Sequence, residues 1–214
     1  MQKPEIIAGE IQNLTDARYF AAREVQYLSF RFDLNFNGQQ AAAIREWVDG
    51  VQMMGAFSYQ NAQEIREIAT FAGLDSIETD MFFDPKAAKE LSADFLLFQR
   101  IVLETRTNQQ ELEDLLASGK NIYSGFILDF RKNNLDFSDL RAGQPLDPNL
   151  LKELAAEFPL YLSIQLREDE LDLLLEDIKP TGLELIGGTE EKTGFKSFDE
   201  ADLIFDALEE KYDY

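Results

Sequence analysis

Short runs rich in β-branched and aromatic residues alternate along this chain with longer segments whose apolar residues recur every three or four positions. The first run, Glu5 to Gly9, reads as a strand. Asn13, Thr15 and Asp16 supply capping chemistry for a helix reaching about Glu24, with Leu14, Ala17, Phe20 and Ala21 at helical spacing. Tyr27 to Phe32 predicts a second strand and Gln39 to Val48 a second helix; Gln52 to Phe57 predicts a third strand. The segment Asn61 to Ala72 follows, with Ala62, Ile65, Ile68, Ala69 and Ala72 in one stripe and Gly73 as its stop. Ser76 to Glu78 is a weaker strand signal, and Pro85 opens a short helix to Leu91.

The second half repeats the alternation. Asp94 to Leu103 holds the continuous apolar run of a strand buried on both faces. A helix over Asn108 to Ala117 is closed by Gly119. Tyr123 to Phe130 is the sixth strand, followed by a helix from Asp147 to Phe158 opened by Pro148. Leu160 to Gln165, Glu168 to Ile178, Gly182 to Gly188 and Phe198 to Tyr212 complete eight strand–helix units. No polar linker divides them, so residues 1–214 read as a single α/β domain, a parallel eight-stranded (β/α)8 TIM barrel. An open doubly wound sheet is the competing arrangement. Its nucleotide-binding form is disfavoured, because no G-x-G-x-x-G follows the first strand and no G-x-x-x-x-G-K-[ST] occurs.

Composition narrows the chemistry. The chain has no cysteine and no histidine, which excludes thiolate nucleophiles, imidazole acid–base catalysis and Cys/His metal sites. Proton transfer must run on carboxylates, lysine, arginine, tyrosine or hydroxyls, and no motif calls for a cofactor. The formal charge is −21, with about −6 on residues 1–107 and about −15 on 108–214. Such a surface repels nucleic acid and anionic lipid. Dispersed acid is ordinarily a solvated surface, although charge and aromatic content also fit an acidic interaction module. The opening Met-Gln-Lys-Pro-Glu-Ile-Ile does not read as a signal peptide, and no apolar run approaches the roughly 18 residues of a membrane helix, so the expected location is cytoplasmic.

Three stretches carry a family resemblance. IIAGEIQNLTDARYFAA is similar to the start of phosphoribosylanthranilate isomerases, where a first strand ending in K-x-C-G precedes a Thr-x-x-Asp-Ala helix cap. GFILDF resembles the family's apolar strand ending in an acid aspartate. KPTGLELIGGTEEKTGFKSFDEADLIFDAL resembles its closing G-V-D-V-S-S-G-V-E…G-x-K-D block.

The resemblance implies an Amadori rearrangement of a phosphoribosyl-amine in tryptophan biosynthesis, in which an acid opens the furanose and a base removes the C2′ proton. It assigns the acid to Asp129 and gives Glu184 the place of the family's eighth-strand aspartate. Ala8 stands where the family's motif has its base cysteine, and a methyl group accepts no proton. Glu10, Glu78 and Asp80 are carboxylates that offer a substitute. The arginine expected after the second strand is missing from DLNFNGQQ, and YLSIQLRED lacks the seventh-strand Gly-Gly turn. Gly187, Gly188 and Gly194 remain for a phosphate nest, beside Lys192 and Lys196 and opposed by Glu184, Glu190 and Glu191. These residues predict a barrel mouth ringed by Ala8, Asp129 and Glu184, with at most millimolar phosphate affinity. Two readings follow from the resemblance: a barrel that has lost the isomerisation, or an active sugar-phosphate isomerase using Asp129 and a carboxylate base. The first would bind a small molecule or a protein, or merely persist; a small phosphorylated sugar is the ligand that the resemblance offers, and it is the substrate of the second.

Overall fold

The computed structural model describes residues 3–32, 37–188, 190–192 and 195–212. Eight parallel strands close in sequence order: β1 (Glu5–Gly9), β2 (Tyr27–Arg31), β3 (Gln52–Phe57), β4 (Ser76–Asp80), β5 (Leu96–Val102), β6 (Gly125–Asp129), β7 (Leu160–Ser163) and β8 (Gly182–Ile186). β1 pairs with both β2 and β8, leaving no free edge in the barrel. This is the (β/α)8 barrel that the alternation predicts.

Helices cover the outside: α1 (Leu14–Ala22), α2 (Gly38–Arg45), α3 (Ala62–Ala72), α4 (Pro85–Leu91), α5 (Gln109–Gly119), α6 (Phe137–Arg141), α7 (Pro148–Glu157), α8 (Glu168–Asp177) and α9 (Asp199–Tyr212). Asn or Asp side chains cap the first seven. Asn61 and Glu64, for example, satisfy each other's backbone N–H groups in a capping box.

Several boundaries differ from the pattern. α2 ends at Arg45, short of Val48, because the chain tightens there and the Trp47 N–H bonds to the Ile44 carbonyl. β5 starts at Leu96, since the N–H groups of Asp94 and Phe95 close the end of α4 on Leu91. β6 starts at Gly125 because Ile122 and Tyr123 fold back onto the Gly119 carbonyl. Two features have no counterpart in the expected layout: the short α6, capped by Asp136, and a two-stranded sheet of β9 (Glu190–Lys192) and β10 (Phe195–Lys196).

Alternation along each strand divides the interior into levels. Ile7, Tyr27, Met54, Phe98, Ile127 and Tyr161 point inward and form a packed plug. Phe98 stacks edge-on with Tyr27 and Tyr161 at 5.1 and 5.4 Å. Gly125 lies opposite this cluster, where a Cβ would come within 2.6 Å of the Phe98 ring. Two residues further along the strands, toward their C-terminal ends, the inward positions are Gly9, Ser29, Ala56, Glu78, Arg100, Asp129, Ser163 and Glu184. The barrel is apolar at its waist and polar at one mouth, the end where barrel enzymes place their chemistry.

Candidate functional site

Arg100 is the centre of that mouth. It sits on β5, two residues after Phe98, and its side chain is 20% exposed. Every one of its five N–H groups is engaged. Nε and Nη2 donate to the two oxygens of Glu78 at 2.5 and 3.1 Å. Nη2 and Nη1 donate to the two oxygens of Glu184 at 2.6 and 3.0 Å, and Nη1 also reaches Asp129 Oδ2 at 2.9 Å. Two bidentate pairs and one single bond saturate the guanidinium.

Asp129 lies at the C-terminal end of β6 facing this cluster, and its second oxygen accepts from the Lys132 backbone N–H at 3.0 Å. The two glutamates titrate in opposite directions. Burial pushes the Glu78 carboxyl above its ordinary value, only partly offset by the charge and hydrogen bonds of Arg100 and by the charge of Arg31, while Glu184 pushes it further up. Glu184 is also raised by burial, but Arg100 and a hydrogen bond from Ser163 bring it below its ordinary value. Arg100, despite its own burial, is held well above the usual arginine value by Glu184 and Glu78.

Ala8 does not line the mouth. It is fully buried in the outer layer between barrel and helices, because inward residues on β1 are Ile7 and Gly9 and a period of two turns Ala8 the other way. Gly9 is the inward residue at the end of β1. A Cβ there would lie 2.7 Å from Glu184 Oε1, so the long arm of Glu184 occupies the room that a side chain on Gly9 would need. Neither Ala8 nor Gly9 carries a protonatable side chain.

The expected phosphate nest is used for packing. Gly188 donates its N–H to the Ser197 carbonyl at 2.7 Å, and a Cβ on Gly187 would come within 2.9 Å of the Phe198 ring. These glycines let the segment leading into α9 lie against the barrel. Gly194 lies outside the described residues, as do residues 33–36 of DLNFNGQQ. Lys196 is also committed: Nζ donates to the Glu10 carbonyl at 2.9 Å and stands 3.6 Å from Asp16 Oδ2, with both side chains buried. Lys196→Met is expected to lower stability by about 1–3 kcal/mol, by leaving Asp16 without its cation and Glu10 without its donor; a urea midpoint unchanged from wild type would contradict this tie. The helices after β7 and β8 open on acids, Glu168, Asp169 and Glu170 on α8 and Asp199, Glu200 and Asp202 on α9. Their own carboxylates take the favourable end of each helix dipole and oppose an incoming anion.

Above the floor is a cavity of about 950 Å³. Arg31, Arg106, Arg131 and Lys132 line its rim on the basic side, with Glu10, Asp80, Glu104 and Glu111 among them. Arg31 pairs with Glu10 at 3.5 Å. Met81, Phe82, Leu112 and Leu115 contribute an apolar wall. Of the carboxylates that offered a substitute base, Glu78 alone reaches the guanidinium; Glu10 and Asp80 stay on the rim. Among the described residues no group of three acidic side chains is arranged to hold a metal ion, and no helix is long and apolar enough to cross a membrane.

A closed parallel barrel with a polar mouth at the C-terminal ends of its strands defines the class to which this chain conforms, the (β/α)8 fold in the form shared by phosphoribosylanthranilate isomerases. The phosphoribosylanthranilate isomerase of Thermotoga maritima superposes with a TM-score of 0.77 at 16% identity, over 97% of this chain and 99% of that one. That of Thermus thermophilus gives 0.74 at 20% identity, over 97% and 99%. A phosphoribosyl anthranilate isomerase in complex with reduced 1-(o-carboxyphenylamino)-1-deoxyribulose 5-phosphate gives 0.75 at 17% identity, over 98% and 100%. No family model and no curated protein matches the sequence. At these identities the likeness establishes the fold.

Arg100 was not singled out by sequence reasoning, nor were Gly9, Ser29 and Ser163. One signal was present, since LLFQRIV carries an arginine at an inward step of an otherwise apolar strand, and a buried strand arginine needs carboxylate partners. Nothing local identifies those partners on β4, β6 and β8.

Proposed function

We infer that this chain is a phosphoribosylanthranilate isomerase-like barrel that has given up the Amadori isomerisation and acts as a binding barrel. The observation that carries this reading is the end of β1, where Ala8, which the resemblance sets in the place of the base cysteine, offers only a methyl group buried in the outer core, while the Glu184 carboxylate fills the space over the inward Gly9. Loss of a positioned base typically costs about 10² to 10⁴ in rate. The saturated guanidinium supports the same reading, because Arg100 has no N–H free for a substrate carboxylate. So do the acidic starts of α8 and α9, which oppose a phosphate.

Purified protein is expected to leave phosphoribosylanthranilate fluorescence unchanged against buffer, and to fail to rescue a tryptophan auxotroph lacking the isomerase. Ribose 5-phosphate is expected to leave the amide resonances of Gly187 and Gly188 in place. Turnover above buffer that disappears in Asp129→Asn would overturn the reading.

One observation favours a second reading, a sugar-phosphate isomerase with Asp129 as acid and a carboxylate base. Glu184, held below its ordinary value by Arg100 and Ser163, is the kind of ionised carboxylate a base requires, and it shares the Arg100 guanidinium with Asp129. The Asp129→Asn measurement separates the two readings.

A further inference from the structure

Resting on the binding-barrel reading, we propose that the mouth takes an organic monocation, a protonated primary amine on an apolar arm, with its ammonium on the floor carboxylates and Ser29 and its arm along the α5 wall. Hydrogen-bonding capacity at the floor sets the ligand's polarity. All five donors of Arg100 are spent, so what faces the cavity is acceptor: carboxylate oxygens of Glu78, Asp129 and Glu184. A ligand seated there must bring N–H or O–H groups.

Charge then selects among donors. Three carboxylates, 5%, 6% and 2% exposed, surround one guanidinium, a formal surplus of two negative charges. The rim does not cancel it, because the four bases there are matched by four acids. The groups facing Glu78 are Arg31 on β2, Arg100 on β5 and Glu184 on β8; burial raises its carboxyl and Glu184 adds to that, against the pull of the two arginines. A cation in this partly dry site gains more from the surplus than it would in water.

Ser29 is an independent sign of a ligand. It is 2% exposed, it takes the inward step after Tyr27, and it lines the cavity. It has no side-chain hydrogen bond to another described residue and opens on the cavity, so a polar group of a ligand can partner its hydroxyl. An ammonium with three N–H groups satisfies Ser29 and two floor carboxylates together. Leu112 and Leu115 on α5, with Met81, supply apolar surface for the arm.

Benzylamine, benzyl alcohol and benzoate place +1, 0 and −1 on nearly the same shape and are the probes for titration followed by amide shifts and calorimetry. Benzylamine is expected to bind about tenfold or more tighter than benzyl alcohol, the margin of a charge-assisted hydrogen bond, with benzoate weakest. Glu78→Gln keeps the side-chain shape and removes one charge, and is expected to weaken benzylamine by about tenfold while changing benzyl alcohol by less than about threefold. Should that variant fail to fold, Ser29→Ala is expected to weaken benzylamine by about three- to fivefold. Benzoate binding as tightly as benzylamine overturns the proposal. So does the absence of binding by any probe at about 100 mM, well beyond millimolar affinity, or a benzylamine affinity indifferent to whichever variant folds. Turnover of phosphoribosylanthranilate would overturn the binding-barrel reading instead, and is measured separately.

Discussion

Arg100→Met is expected to destabilise the protein by about 3–5 kcal/mol at neutral pH, enough to unfold a domain of ordinary stability. Methionine approximates the arginine stem, so the loss isolates the guanidinium rather than the packing. Without it, Glu78, Asp129 and Glu184 remain buried with no cation among them. Burial without the guanidinium holds the Glu78 and Glu184 carboxyls of the folded variant above their unfolded values, so the folded state binds more protons than the unfolded one and stability falls as pH rises through that interval. The deficit should therefore be largest near pH 7 and shrink toward about pH 3, about one unit below the unfolded carboxyl values, where these groups are largely protonated in both states. Urea unfolding at the two pH values reads this directly. An unchanged midpoint at neutral pH would mean that the cluster is not held as described.

Gly9→Cys, which places a thiol at the inward end of β1, is expected to lower stability by about 1–3 kcal/mol and to produce no isomerase activity. The new Cβ meets Glu184 Oε1 at 2.7 Å, and Glu184 cannot swing aside freely because Arg100 holds both its oxygens. Pairing it with Glu184→Asp withdraws the carboxylate by one methylene. Most of the lost stability should return, a coupling of about 1 kcal/mol or more between the two sites. Additive losses in the double variant would show that Glu184 does not occupy the space over Gly9. Ala8→Cys places its thiol in the outer core, out of reach of the mouth, and is likewise expected to show no turnover.

These contrasts mark how much of the site was legible in advance. Asp129 and Glu184 were identified as mouth residues through the family resemblance, which matches each to a carboxylate near the C-terminal end of a strand. Ala8 was taken for the mouth residue of β1, one position from the inward residue Gly9. A single residue of register reverses the face of a strand, and with apolar or small residues on both sides of β1, alternation gave no means of choosing. The glycines at 187 and 188 looked like an anion nest because a glycine pair after a strand serves that purpose elsewhere. Here Ser197 and Phe198, supplied by the return of the chain into α9, take up the N–H of Gly188 and the space over Gly187.

The sequence by itself determined the barrel: eight alternations of strand and capped helix are local patterns, each decided by spacing, cap residues and turn glycines within about a dozen positions, and a parallel sheet with that many units closes. It also determined that neither thiol nor imidazole chemistry is available. Only the tertiary structure decided what the mouth contains. Glu78, Arg100, Asp129 and Glu184 lie on four different strands and as much as 106 positions apart, and no local signal links them. What joins them is the shared inward step of a closed sheet, which brings three carboxylates and one guanidinium to the same level inside the barrel, where low dielectric obliges them to pair.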